Sequence, residues 1–377
     1  MARVLDRGFR PFFLLTGASG VLLIPLWLAM VSGRLDLPTA LDAGRWHAHE
    51  MTFGLIAAAM AGFLLTAVPN WTGKPPVRGL WLLVLAGLWL SGRLVLGLGG
   101  GLPLPVVLAV ESGFWVVLLF LLFRQVKGAA PHHNYPVVAS VAFLWAAAMA
   151  DFSGLPGSEA GLQLYGLLVA LIGGRIVPNF TRNWLRARGH DKLPAEADRW
   201  DAAALVLHAI AVVAYFFDPA FGAGFLVATA VAHGLRLARW CGLSTLSEPL
   251  LAVLHIAYAG LALGLAVLGL SHAGLIGLAE TEALHLFVIA GLVLMVAAVI
   301  TRATLGHAGR PLKADRVTMV IYGLILLGAG ARVTAGLLPE YWMSLIAAAG
   351  LGWTLAFGLY LWRYGPLLLG VGQSNQS

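Results

Sequence analysis

The feature that most restricts this chain is a succession of apolar runs, each about 20 residues long and bounded by glycine, proline or charge. Wound as a helix at about 1.5 Å per residue, such a run crosses the ~30 Å hydrocarbon core of a bilayer. In hydrocarbon every backbone amide must be satisfied within the protein, and a single run of this length achieves that as an α-helix. Reading the runs against their breaks predicts about twelve spans, near residues 11–31, 47–68, 79–99, 102–123, 135–152, 160–178, 201–217, 220–240, 249–270, 281–301, 315–336 and 341–362. The expected fold is all-α, a polytopic transmembrane helix bundle, with residues 1–377 forming one integral membrane domain. Composition agrees. Sixty per cent of the 377 residues are hydrophobic and 11% are charged, where a soluble domain carries roughly 25% charged residues.

The net charge of +7 does not point to nucleic acid, because no basic soluble segment exists to carry it. The expected partner is the lipid bilayer. Basic residues cluster at alternate ends of the spans: Arg3, Arg7 and Arg10 before the first, Lys74 and Arg78 after the second, Arg124 and Lys127 after the fourth. The series continues with Arg182 to Arg199 after the sixth, Arg236 and Arg239 at the eighth, and Arg302 to Arg316 after the tenth. Loops 153–159, 218–219 and 271–282 have none. The positive-inside rule then places both termini in the cytoplasm, with Arg34 and Arg45 as the main exceptions. The run Pro11–Val31 is too long for a signal peptide and lacks a clear cleavage site, so it reads as a retained first helix. Loops are short, so function must sit among the helices. Outside the polar tail Gly372–Ser377 there is no low-complexity segment. Neither a short-period repeat nor a convincing inverted repeat is evident.

A single cysteine, Cys241, excludes an internal disulfide, an iron–sulfur cluster held by this chain, and a cysteine-based zinc site. Metal chemistry would have to rest on histidine. Trp46-His47-Ala48-His49-Glu50-Met51 opens the second span, with His47 and Glu50 on one helical face and His49 on another. His285 opens the tenth span behind Glu280 and Glu282. Facing histidines from two helices are what a bis-histidine heme b requires. An inner group comprises His233, His255 (with Tyr258 one turn on) and His307, the last expected in the loop after the tenth span; three histidines suit copper or a second heme. The structural alternative for each is a helix-end residue bonded to backbone. His132, His133, His190 and His272, at loops or helix edges, and His208 are given a structural role. Arg175 lies inside an apolar run, where charge faces an anion or a polar cavity; with Arg302 and Arg310 it is placed to hold propionates or an anionic lipid. Asn179 and Arg182 belong to the same stretch.

Several strings in order carry a resemblance to a known family: Gly8-Phe9-Arg10-Pro11-Phe12-Phe13, Trp46 to Met51, Gly62 to Gly73, Gly173 to Trp184, Glu248-Pro249, His255 with Tyr258, His285, and Arg302 to Arg310. Together they cover most of the chain, and they resemble the NnrS family of bacterial inner-membrane proteins. What the resemblance implies is a twelve-span protein containing heme b and copper, with nitric oxide as its small-molecule ligand and a role in resistance to nitrosative stress. Quinol-fed reduction of nitric oxide, as in a nitric oxide reductase, is one activity it allows. The alternative is a non-catalytic heme or copper carrier, or a metal protein that buffers nitric oxide. A looser similarity is to the catalytic subunit of heme–copper oxidases and nitric oxide reductases. This chain departs from that pattern by having one histidine, His285, on the tenth span and no adjacent histidine pair within a helix.

Overall fold

The computed structural model describes residues 2–129 and 134–371. His132, His133 and the tail Gly372–Ser377 lie outside them. Twelve long helices follow one another among the described residues: α1 (Phe9–Val31), α2 (Ala43–Thr72), α3 (Leu80–Leu98), α4 (Leu104–Val126), α5 (Tyr135–Asp151), α6 (Gly157–Arg186), α7 (Arg199–Phe217), α8 (Pro219–Ala238), α9 (Pro249–His272), α10 (Glu280–His307), α11 (Arg316–Leu337) and α12 (Trp342–Leu368). Eleven are long and apolar enough to cross a membrane, and α5 is apolar but shorter, at 17 residues. The protein is a multi-pass helical membrane protein.

Many boundaries have a local cause. Asp198, Asp218 and Asp315 cap α7, α8 and α11 by accepting from the first exposed backbone amides. Prolines open α4, α5, α8 and α9, where a missing N–H costs nothing. Past the end of α10, Gly309 takes φ +65°, a conformation that L side chains resist. Gly306 keeps helical geometry, so α10 runs through Thr301-Arg302 to His307, and His307 is helical rather than in a loop.

Two of the helices are not α-helical throughout. In α2 the segment Glu50–Ile56 winds as a π-helix, and in α10 so does Phe287–Val293. The fifth residue of each is a glycine, Gly54 and Gly291. A Cβ on Gly54 would lie 2.8 Å from a Glu50 carboxylate oxygen, and one on Gly291 would lie 2.9 Å from Leu261 Cα. The wider turn also offers carbonyls to side chains: Arg93 donates to Phe53 O at 2.9 Å and Trp89 to Gly54 O at 3.1 Å. Such π segments gather at functional sites.

The chain forms two compact units. One comprises Met1–Gly161, Ala303–Arg310 and Phe357–Ser377; the other comprises Leu162–Arg302 and Pro311–Ala356. In the first, α1 packs closely on α2, with Phe12 and Phe13 against Gly62 and the Phe9 amide donating to Thr66 at 3.1 Å. In the second, α9 and α10 meet through Gly260, Gly264 and Gly291, so that backbones touch. Small residues at such crossings let dispersion forces act where lipid gives no hydrophobic drive.

Candidate functional site

Each unit contains a buried polar cluster that joins several helices. In the first unit it is built on the π segment of α2. His49 is fully buried; its Nδ1 lies 2.9 Å from Asp151 Oδ2 at the end of α5, and its Nε2 lies 3.4 Å from Glu111 Oε1 in α4. Arg93 of α3 joins Glu111 at 2.7 Å and Glu50 at 3.0 Å. Asp151 accepts in addition from the Ser158 amide and hydroxyl, at 2.6 and 2.5 Å, while Arg45 donates to its backbone carbonyl. His47, which shares the sequence motif, instead stacks on Trp27 with ring centroids 4.3 Å apart.

The second cluster lies between α6, α7, α8 and α9. Arg236 donates to Asp201 Oδ1 at 2.8 Å and to the Tyr258 hydroxyl at 2.8 Å. With that oxygen already accepting, Tyr258 turns its own proton to His233 Nδ1, 3.0 Å away. His233 must then carry its proton on Nε2 and donate it to His208 Nδ1 at 3.0 Å. His208, fully buried, is left with its proton on Nε2, an atom that meets no hydrogen-bonding partner. Nearby, His255 Nε2 lies 2.8 Å from the Thr181 hydroxyl, and its buried Nδ1 also meets none. Gly174 explains how the Arg236 guanidinium fits: any Cβ there would overlap its Nη2. Trp240 covers the group, with its ring 4.5 Å from that of Tyr258.

Beside this cluster is a cavity of about 230 Å³ lined by Arg175, Asn179, Arg182, Asp201, Arg239 and Trp240, among others. The expected grouping of Arg175, Asn179 and Arg182 is present, whereas Arg302 sits over the Phe180 ring at 4.4 Å. Outside the spans, hydrogen bonds from Arg239 hold the Asp198 carboxyl below the usual carboxylate range. Arg310 is exposed, in the other unit.

A family model described as NnrS protein matches residues 3–371. The chain belongs to the NnrS family. No curated protein matches it significantly. Membership suggests a role in the nitric oxide response, in the bilayer setting that the apolar helices require.

The expected site residues of this NnrS protein are divided between the two units. His233 and His255 are in one unit and His307, stacked on Phe9 at 4.9 Å, is in the other. Among the described residues no three His, Cys, Asp or Glu side chains form a group arranged to hold a metal ion. Both ring nitrogens of His49 face carboxylates, so in this arrangement neither is left to face iron. His285 turns its Nδ1 to the Thr281 carbonyl at 2.7 Å, which places its lone pair on Nε2. Sequence reading passed over Arg93, Glu111, Asp151 and Asp201, gave His208 a structural role and took Arg236 as a topology signal. Arg93 and Glu111 carried a readable signal, being charges inside apolar runs. His208 carried none, because a lone histidine mid-helix gives no hint of its partner.

Proposed function

We propose that this chain is a histidine-ligated metalloprotein of the nitric oxide response, with His208 and His255 as ligands to heme iron or copper and His285 as a third candidate. The supporting observation is the pair of orphaned ring nitrogens, His208 Nε2 and His255 Nδ1. Each belongs to an imidazole whose other nitrogen is hydrogen-bonded, the arrangement that orients a ligating histidine. Imidazole suits iron and copper, and the donor set therefore fits both groups.

Bound there, the metal would supply one-electron chemistry and a binding position for nitric oxide. The chain's own residues do the rest. Ligation at His208 Nε2 would require the reverse of the tautomers described above. The His208 proton moves to Nδ1, where it donates to His233 Nε2, and the His233 proton moves to Nδ1, where it donates to the Tyr258 oxygen. The Tyr258 proton turns away, while Asp201 keeps Arg236 fixed beneath both. Arg175, Asn179 and Arg182 offer the cavity's positive and amide groups to carboxylates such as propionates. Quinol as electron donor, and inner-membrane placement with both termini cytoplasmic, complete the reading.

Purified protein is the test. Soret absorption or stoichiometric copper is expected, and His208→Ala or His255→Ala should reduce retained metal about tenfold or more. A colourless, copper-free preparation would reject the metalloprotein. Nitric oxide consumption with a quinol donor assigns turnover; a coloured but inert protein is a carrier or buffer.

A further inference from the structure

The cluster in the first unit is absent from the ligand set just proposed, and its chemistry differs. Three carboxyl groups, Glu50, Glu111 and Asp151, share two bases, Arg93 and His49, and all three carboxyls are no more than 6% exposed. Isolated charge is costly at this depth, so the favoured states are the electrically neutral ones. There are two kinds. In one, His49 is cationic and one carboxyl is protonated; in the other, His49 is neutral and two carboxyls are protonated. Both hold the same number of protons. They differ only in where one proton sits.

The geometry supplies the path between them. Asp151 is the last residue of α5 and adjoins the exposed segment 153–156. Glu111 is seven residues into α4, about 10 Å along its axis. His49 bridges the two, one ring nitrogen to each, at 2.9 and 3.4 Å. The charged groups around the imidazole are Asp151 from α5, Glu111 from α4, Arg93 from α3 through Glu111, and Arg45 and Glu50 from α2; Ser158 of α6 steadies Asp151, and α1 contributes the Trp27 ring on His47.

We propose that Asp151, His49 and Glu111 form a proton-loading relay leading from the membrane surface to the Arg93 pair. Protonated Asp151 gives its proton to His49 Nδ1 as the Nε2 proton passes to Glu111. Asp151 is left as carboxylate, Glu111 as acid, and the imidazole as its other tautomer; the net charge does not change. Glu50 completes the charge balance: with the imidazole neutral it holds the second proton, so Arg93 faces one carboxylate, Glu111, before the transfer, and Asp151 carries the balancing negative charge after it. This inference rests on the metal ligands being those named above rather than His49, whose two ring nitrogens both face carboxylates.

The test uses the full chain in lipid nanodiscs and time-resolved infrared spectroscopy after a pH jump. The Glu111 carbonyl band is identified as the one lost in Glu111→Gln. In wild type, the relay requires this band to respond between about pH 4 and pH 9. In His49→Gln it should appear about tenfold or more slowly. Asp151→Asn, which keeps the shape of the acceptor of Ser158, should slow it similarly and serves if His49→Gln does not fold. Absence of a Glu111 response, or equal rates in wild type and both variants, overturns the relay. Because the band belongs to the protein, the result is the same with or without bound heme or copper.

Discussion

At the scale of single residues, Arg93 decides whether the first cluster can exist. Its guanidinium meets Glu111 at 2.7 Å, Glu50 at 3.0 Å and the Phe53 carbonyl at 2.9 Å. Removing one partner of a buried ion pair leaves an uncompensated charge, which costs about 3–5 kcal/mol. Arg93→Met should therefore lower the thermal midpoint sharply in detergent, whereas combining it with Glu50→Gln and Glu111→Gln should restore most of the loss. If the single and triple variants melt alike, the charges are not what the substitution disturbs. Part of this cluster was legible from the start. His49 and Glu50 stood in a conspicuous motif, and Arg93 and Glu111 were charges in apolar runs. Their joining was not legible, because α2, α3, α4 and α5 each contribute and nothing in the sequence states which helix faces which. For the same reason His208 passed for an ordinary core histidine until His233 was found 3.0 Å away.

At the scale of helices, hydropathy and breakers located the start of each helix to within about four residues, since burial in lipid and loss of backbone donors act over short stretches of chain. The ends were less well placed: α6, α10 and α12 run on past the expected ends at 178, 301 and 362 to Arg186, His307 and Leu368. Hydrogen-bond register escapes such reading, and the two π segments were invisible: seven residues of π-helix have the same composition as seven of α-helix. A direct repeat escaped too. Val68-Pro69-Asn70-Trp71-Thr72 in α2 returns as Val177-Pro178-Asn179-Phe180-Thr181 in α6, and in both the threonine hydroxyl donates to the valine carbonyl at 2.9 Å. Earlier in α6, two adjacent glycines have different duties. A Cβ at Gly173 would make ordinary contact, 3.6 Å from Tyr258, whereas one at Gly174 would collide with Arg236. Gly174→Ala is therefore expected to destabilise by about 1–3 kcal/mol. Gly173→Ala should be neutral or slightly stabilising, since alanine favours helix by about 1 kcal/mol. Equal melting temperatures for the two variants would refute the assigned role of Gly174.

For the whole molecule, the distribution of arginine and lysine gives an orientation that chemistry can check without mutation. Cys241, partly exposed and the chain's single thiol, lies between α8 and α9, at the end where Arg236 and Arg239 gather. With cytoplasmic termini, a membrane-impermeant maleimide should modify Cys241 in inverted vesicles and spare it in intact spheroplasts. Labelling in spheroplasts would turn the orientation round. The length of α5 has a different consequence. Seventeen residues cover about 25 Å, roughly 5 Å less than the hydrocarbon slab. A span this short is met by thinning of the bilayer, by flanking residues reaching outward or by association with other helices. Asp151 ends this helix, and thinning there would draw lipid and water in toward the carboxyl proposed to receive protons. Bilayer thickness is then expected to control how readily the buried cluster exchanges protons with water, with thicker bilayers slowing the Glu111 response.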